Sequence, residues 1–221
     1  MPIFFRSKPK VFVIGLNKTG TTSLGDALST LGYARRGWNE FLSRKLFHDW
    51  HSGNLKPLIN WTKLYEAFED FPWPLVYEEM ATLYPDAKFI LSMRKDEERW
   101  FQSIAAHSAR RPWIGHEVIY GAVIASPETK ELYLTKYREH NERVREFFRD
   151  QPGRLLEICV EDSSDGNWIK LCEFVGRPDV PTKQFPKSNP KEAFWNVDHI
   201  GVFKSWASGV DWIERALLRI L

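Results

Sequence analysis

A short loop near the amino terminus combines paired glycines with a lysine in an unusual place. Residues 11–24 read VFVIGLNKTGTTSL. In the loop that binds nucleoside triphosphates, G-x-x-x-x-G-K-[ST], the lysine follows the second glycine and reaches the β- and γ-phosphates. Gly15 and Gly20 keep that spacing, but Thr21 stands in the lysine position and Lys18 lies two residues before the second glycine. The pattern therefore predicts an anionic ligand whose reacting group is not a γ-phosphate.

The same loop offers several groups that bind anions. If a helix begins after Gly20, the backbone N–H groups of residues 19–23 converge on one point, where the helix dipole adds about half a positive charge. Lys18 adds a full charge. Further hydroxyl donors come from Thr21, Thr22 and Ser23. These groups suit a phosphate or a phosphosulfate, and the alternative is a glycine turn with an exposed lysine.

A second cationic position follows another apolar run. Arg94 comes directly after residues 88–93, KFILSM, and Ser103 follows on an amphipathic stretch. Ligands of open α/β sheets bind at the carboxyl edge of the strands, so Arg94 is predicted to lie at the same edge as Lys18. Ser103, on the next helix, would donate to a second anion that Arg94 also holds. The alternative is a solvated arginine and a serine on a helix surface.

Strand-like and helix-like stretches alternate along the chain. Short apolar runs predict strands before Gly15, at 88–93 and at 155–160. Apolar residues at helical spacing predict helices at 24–31, 38–51, 75–84, 96–107, 131–149, 168–175 and 212–220. Two prolines within 69–74 predict a loop at a strand's carboxyl end, and residues 108–129 are expected to form a mobile cover. The alternation predicts a single α/β domain over residues 1–221, with a central parallel sheet covered by helices on both faces.

Composition excludes several other classes of protein. The net charge is only +2, from 31 basic and 29 acidic residues, so the overall charge does not favour binding of a polyanion. We therefore predict no nucleic-acid partner. No apolar stretch reaches about 18 residues, and the first apolar run is too short for a signal peptide, so we predict no membrane partner and a cytoplasmic location. Cys159 and Cys172 have no C-x-x-C spacing and are expected to be free, buried thiols.

Several segments together resemble one family, the sulfotransferases. The loop at residues 15–24 is similar to the K-[ST]-G-T-[TS] loop that cradles the 5′-phosphosulfate in that family. Residues 84–94, with Trp100 and Ser103, resemble its second motif, whose arginine and serine bind the 3′-phosphate. The family's closing segments are similar to residues 137–148, 168–176 and 185–189. The resemblance spans nearly the whole chain.

This resemblance implies a three-layer fold like that of P-loop NTPases and the donor 3′-phosphoadenosine 5′-phosphosulfate (PAPS). The donor-binding residues that it implies are Asn17, Lys18, Thr19, Gly20, Thr21, Thr22, Ser23, Arg94 and Ser103. One departure concerns spacing, because Ser103 lies nine residues after Arg94, and Gln102 occupies the usual place eight residues after the arginine. A one-residue insertion between strand and helix would absorb this difference.

The group that accepts the proton departs from the familiar pattern. Many small-molecule sulfotransferases carry a histidine in a K-x-H-x-P run at the end of a central strand. The comparable run here is FEDFP at residues 68–72, so Asp70 takes the place of the histidine and the lysine is absent. Burial among aromatic residues would raise the pKa of this aspartate and improve it as a base. Glu69 is the reserve base, His140 is either a core residue or part of the site, and Asp70 as a loop cap is the alternative.

The predicted reaction is sulfuryl transfer from PAPS to a hydroxyl or amine of a small-molecule or carbohydrate acceptor, with Lys18 and Asp70 as the catalytic residues. No metal is expected, because no carboxylate follows the loop in a metal-binding arrangement. An aromatic wall for the acceptor is predicted from Trp38, Trp61, Trp73 and Trp113. Two other functions stay open, a nucleotide kinase with a displaced lysine and an anion-binding module without catalysis.

Overall fold

The computed structural model describes residues 8–188, which form two compact units. The first unit comprises residues 8–95 and 140–188, and the second comprises residues 96–139. The strands of the first unit are β1 (Val11–Val13), β2 (Arg35–Arg36), β3 (Ala67–Glu69), β4 (Lys88–Met93) and β5 (Leu155–Cys159). They form one parallel sheet in the order β2-β3-β1-β4-β5. The predicted parallel sheet is therefore confirmed.

The described residues contain eight α-helices. They are α1 (Thr21–Thr30), α2 (Glu40–His51), α3 (Lys56–Thr62), α4 (Tyr77–Leu83), α5 (Glu97–Arg110), α6 (Gly115–Tyr120), α7 (Lys130–Phe148) and α8 (Ser164–Val175). Short 3-10 turns lie at Trp73–Leu75 and Pro127–Thr129. The second unit holds α5, α6 and the first part of α7.

Both faces of the sheet are covered, as the alternation of side chains along β1 shows. Val11 and Val13 pack with apolar residues of α1 and α8, while Phe12 and Ile14 pack with those of α4 and the end of α7. Successive residues of a strand point to opposite faces, so one three-residue strand supplies both cores. The predicted α/β architecture with helices on both faces is confirmed.

The second unit is held together by aromatic residues. The rings of Trp100 in α5 and Tyr137 in α7 stack with centroids 4.3 Å apart, and those of Tyr120 and Tyr133 stack at 4.4 Å. The Tyr133 hydroxyl donates to the Ala122 carbonyl at 2.8 Å, which satisfies the polar end of a buried ring. These contacts join α5, α6 and α7 within the unit.

Some elements differ from the prediction. β2 was not predicted, because two residues are too few to show a period. α3 was not predicted either, and Pro57 lies in its first turn, where a missing N–H costs no helical hydrogen bond. The expected mobile cover at 108–129 contains α6, and its mobility stays a prediction. The helix predicted at 212–220 lies outside the described residues.

Two smaller predictions concern the thiols and the membrane. Cys159 and Cys172 are both free, the first half-buried and the second buried. Within residues 8–188, no helix combines the length and apolar character that crossing a membrane requires.

Candidate functional site

The predicted phosphate loop connects β1 to α1 at the carboxyl edge of the sheet. Lys18 has a φ of 68° and Gly20 a φ of 96°, so the chain turns twice through the left-handed region before the helix starts. Gly20 is the N-cap of α1, and within the described chain no side-chain oxygen caps this end. The first N–H groups of a helix lack internal partners and carry the positive end of its dipole. The loop therefore has the backbone of an anion-binding site.

The Thr19 side chain fixes the shape of this loop. It is fully buried, and its hydroxyl donates to the Leu16 carbonyl at 2.6 Å and lies 2.6 Å from Oγ of Ser92 in β4. A Cβ atom added to Gly15 would lie 2.1 Å from the same Oγ. The Thr19 hydroxyl is thus occupied by contacts inside the protein. If Thr19 binds the anion as predicted, it does so through its backbone N–H.

Arg94 lies beside Lys18, as expected for residues that follow neighbouring parallel strands. Its Nε donates to the Lys18 carbonyl at 2.9 Å, across the junction of β1 and β4. Its Nη1 donates to Oε1 of Glu161 at 2.8 Å, and the Lys95 N–H donates to the other oxygen of Glu161 at 3.1 Å. The guanidinium is therefore held from two sides, and it supports the lysine-bearing turn directly.

Asp70 follows β3 on the other side of the loop. It is half-buried with a φ of 65°, and its Oδ1 accepts the Phe71 N–H at 2.8 Å. The Thr21 hydroxyl, in the first turn of α1, donates to its Oδ2 at 3.5 Å. Burial raises the pKa of Asp70 above its usual value, although the Phe71 N–H and the Lys18 charge oppose the rise. A carboxylate with a raised pKa close to the loop has the properties of a general base.

The two other carboxylate and histidine candidates have different surroundings. Glu69 is buried, and its Oε1 lies 3.2 Å from Nη1 of Arg35. His140 donates from Nε2 to the Ile14 carbonyl at 2.7 Å, and its ring packs edge-on against Tyr77. Burial lowers the pKa of His140 to about 4, so this histidine is neutral at pH 7. These contacts give His140 a structural role at the end of β1.

The other predicted donor-binding residues fall into two groups. Asn17 and Ser23 are buried in the loop and first turn of α1, where Oγ of Ser23 accepts the Ser188 N–H at 3.0 Å. Thr22 is half-buried, and its carbonyl accepts from Arg35. Ser103 is half-buried on α5 in the second unit, so its pairing with Arg94 stays a prediction.

The four tryptophans that were expected to line an acceptor pocket do not share one environment. Trp73 is a core residue whose ring lies against Phe12 and Phe68, and Trp113 is also buried. Trp38 and Trp61 are half-buried. Trp73 therefore stabilises the core and is not a pocket wall.

Two residues that the sequence interpretation missed are Arg35 and Glu161. Glu161 lies at the carboxyl edge of the sheet, two residues after β5. Arg35 is the first residue of β2, in register with Ala67 at the start of β3, and its guanidinium reaches Glu69 at the end of β3. The rule that placed Arg94 also applies to Glu161, because it follows a predicted strand. Arg35 gave no such signal, since its strand is too short to be recognised.

A parallel sheet with an uncapped helix behind a lysine-bearing glycine loop defines an α/β protein of the phosphate-loop class. A family model described as a sulfotransferase domain matches residues 10–194 of the chain. The protein belongs to this family, whose activity is the transfer of sulfuryl groups, and the match includes Lys18, Asp70, Arg94 and Ser103. No curated protein matches the chain.

Proposed function

We propose that this protein transfers a sulfuryl group from PAPS to a hydroxyl or amine of a small-molecule or carbohydrate acceptor. The observation that carries the proposal is the arrangement of three charged side chains, Lys18, Asp70 and Arg94, around one loop at the edge of the sheet. Membership of the sulfotransferase domain family supports the type of reaction. The donor and the class of acceptor rest on the chemistry of the site.

The residues present fit a donor that carries both a phosphosulfate and a phosphate. The uncapped start of α1, together with Lys18, suits the phosphosulfate. Arg94, supported by Glu161, suits a second anion near the end of β4. A γ-phosphate site would instead place its lysine at residue 21, where this chain has Thr21.

When it is bound, the donor supplies a sulfuryl group whose leaving group is a stable phosphate. The Lys18 ammonium and the first N–H groups of α1 stabilise the negative charge that collects on that leaving oxygen. A fixed loop performs this task with little reorganisation, because Thr19 and Arg94 already hold its backbone.

Asp70 removes the proton of the acceptor. Its raised pKa makes it a stronger base than an ordinary aspartate, and the Lys18 charge opposes the rise. The Thr21 hydroxyl and the Phe71 N–H both bind the carboxylate and fix its direction. The acceptor proton therefore moves to a carboxylate oxygen of Asp70 as the new bond to sulfur forms.

Ligand-dependent thermal stability tests the donor. Adenosine 3′,5′-bisphosphate (PAP) should raise the melting temperature and ATP should not, because a ligand that binds the folded state more tightly stabilises it more at the same concentration. Stronger stabilisation by ATP with Mg²⁺ would favour a nucleotide kinase instead.

Labelled PAPS with a panel of phenols, sterols, sugars and amines tests the reaction. Lys18→Ala and Asp70→Ala should each abolish turnover, and only the first should also weaken PAP binding. A protein that binds PAP but transfers nothing to any acceptor in the panel would be the anion-binding module. EDTA should leave turnover unchanged, and its loss would contradict the expected absence of a metal.

A further inference from the structure

Glu69, the last residue of β3, has a carboxylate enclosed by two glycines. The residue is only 3% exposed. A Cβ atom added to Gly25 of α1 would lie 2.1 Å from its Oε2, and one added to Gly37, just after β2, would lie 2.2 Å from its Oε1. Any other residue at these positions would displace the carboxylate. The space between α1 and β2 is thus shaped for this one group.

One guanidinium joins this carboxylate to the helix of the phosphate loop. Nη1 of Arg35 lies 3.2 Å from Oε1 of Glu69 and donates to the Thr22 carbonyl at 3.3 Å. Nη2 of Arg35 lies 2.8 Å from Oδ1 of Asp26. Arg35 belongs to β2 and Glu69 to β3, while Thr22 and Asp26 lie in the first two turns of α1. A single side chain therefore connects three elements.

The same turns of α1 also hold the last described residue. The Ser188 N–H donates to Oγ of Ser23 at 3.0 Å, and the Ser188 hydroxyl donates to Oδ2 of Asp26. Asp26 thus binds Arg35 with one oxygen and Ser188 with the other. The start of α1 is fixed by side-chain bonds on two sides.

The charges in this cluster are balanced by Arg35. Burial raises the pKa of Glu69 to about 8, and the Arg35 charge opposes the rise. The carboxylates of Asp70, next in the chain, and of Asp26, on α1, raise it further. The Glu69 carboxyl group accepts the Arg35 hydrogen bond in either protonation state, as a carboxylate or through its carbonyl oxygen.

We propose that Arg35 is a positioning residue for the sulfuryl-transfer site, holding the first turn of α1 at a fixed distance from the end of β3, where Asp70 lies. The inference rests on the proposed function. Arg35 acts through Thr22, Asp26 and Glu69. Thr22 follows Thr21, which binds the Asp70 carboxylate, so a shift of this turn separates the base from the donor loop.

The geometry requires a guanidinium, because the bonds run in different directions from one planar group. Lysine supplies the same charge from a single ammonium and cannot reproduce such a fork. Small displacements of reacting groups lower the rate strongly, and about 1 Å can cost about 100-fold. Replacement of the Arg35 guanidinium should therefore reduce kcat, while the affinity for the donor product PAP changes little.

The experiment compares Arg35→Gln and Arg35→Lys with the wild type, using labelled PAPS and the best acceptor from the panel. Both variants should lower kcat at least about tenfold, with the dissociation constant of PAP changed less than about threefold. The lysine variant keeps the charge and should fold if the glutamine variant does not. Recovery of wild-type kcat by lysine, or an equal loss in kcat and PAP affinity, would overturn the positioning role.

Arg154→Gln is the matched control. Arg154 also donates in several directions, to the carbonyls of Ala81, Tyr84 and Ala87, but these carbonyls precede β4, so its guanidinium lies away from the phosphate loop. This variant should lower the melting temperature without changing kcat. If Arg154→Gln reduces kcat as much as Arg35→Gln, the Arg35 effect is only a loss of stability and the proposal fails.

A separate measurement tests the cluster without an activity assay. A raised folded-state pKa gives Glu69 a contribution to stability that is fully present below about pH 4.5 and lost as pH rises through about 8. The melting temperature of Glu69→Gln relative to the wild type should therefore increase across this interval. If the difference in melting temperature between Glu69→Gln and the wild type does not change with pH, Glu69 does not titrate as a buried carboxyl group and the cluster is not formed as described. Absence of turnover in the wild type would instead defeat the proposed function and leave this measurement valid.

Discussion

The two strands beside β1 bring opposite charges to the phosphate loop. On the β3 side the functional group is the Asp70 carboxylate, which contacts the start of α1 through Thr21. On the β4 side it is the Arg94 guanidinium, which contacts the lysine-bearing turn through the Lys18 carbonyl. We call these two sides of the loop the β3 flank and the β4 flank. In the proposed function, the β3 flank accepts a proton and the β4 flank binds an anion.

Each flank also contains an ion pair between oppositely charged side chains. Arg35 lies behind the carboxylates of the β3 flank, where it pairs with Glu69, and Glu161 lies behind Arg94 on the β4 flank. A buried or half-buried charge is costly without a partner, so each flank carries its own compensation. We therefore expect substitutions on the β3 flank to lower kcat and substitutions on the β4 flank to weaken donor binding.

Asp70→Asn should produce the largest effect and should confine it to catalysis. We expect kcat to fall about 10²- to 10⁴-fold, because the amide cannot accept the acceptor proton, while PAP still raises the melting temperature. Burial raises the pKa of Asp70, so wild-type kcat should decline with falling pH at a higher pH than an ordinary aspartate would give. The variant should lack this decline.

The control for that variant is Asp86→Asn, an exposed aspartate before β4 at the other edge of the sheet. It should keep wild-type kcat and its pH profile. Full activity of Asp70→Asn would show that Asp70 is not the base and that the β3 flank has no catalytic role.

Arg94→Gln should affect donor binding instead. Hydrogen bonds to charged groups contribute about 1.5–3 kcal/mol, so the dissociation constant of PAP should rise about 10- to 100-fold, as calorimetry would measure. Arg94→Lys should recover only part of the loss, since lysine keeps the charge but not the fork. Unchanged PAP affinity in Arg94→Gln would show that the β4 flank does not bind the donor.

Glu161→Gln should give a smaller effect of the same kind. The amide cannot accept from both Arg94 and the Lys95 N–H, so one bond of about 1 kcal/mol is lost and PAP should bind about fivefold more weakly. Glu157→Gln is the control, because Glu157 pairs with Arg145 at 2.8 and 2.9 Å on β5 and should leave PAP affinity unchanged. Tighter PAP binding in Glu161→Gln would mean that Glu161 competes with the donor.

His140→Phe should change stability alone, since His140 supports β1 from α7 and belongs to neither flank. The Ile14 carbonyl loses its donor, which should cost about 1–3 kcal/mol in chemical denaturation at pH 7. A lowered folded-state pKa means that the histidine contributes stability above about pH 6.5 that is lost as pH falls through about 4. The difference in the free energy of unfolding between His140→Phe and the wild type should therefore become smaller as pH falls over that interval. The affinity for PAP should not change.

Local sequence patterns were enough to predict the fold class, the phosphate loop and the neighbouring positions of Lys18 and Arg94. Local signals carry this information, because short apolar runs, glycine spacing and helical periodicity act within about ten residues. The rule that parallel strands share a carboxyl edge then places their following residues together. The family resemblance added two predictions, PAPS as the donor and Asp70 as the base.

The contacts that support these residues could not be predicted from the sequence and are visible only in the folded chain. Thr19 binds inward to Ser92, Glu161 holds Arg94, and the two carboxylates at the end of β3 separate, with Asp70 at the loop and Glu69 against Arg35. These contacts join residues far apart in the chain, and they depend on which strands become neighbours. Sequence spacing carries no such information, because strand order is set by long-range packing of the sheet and its helices.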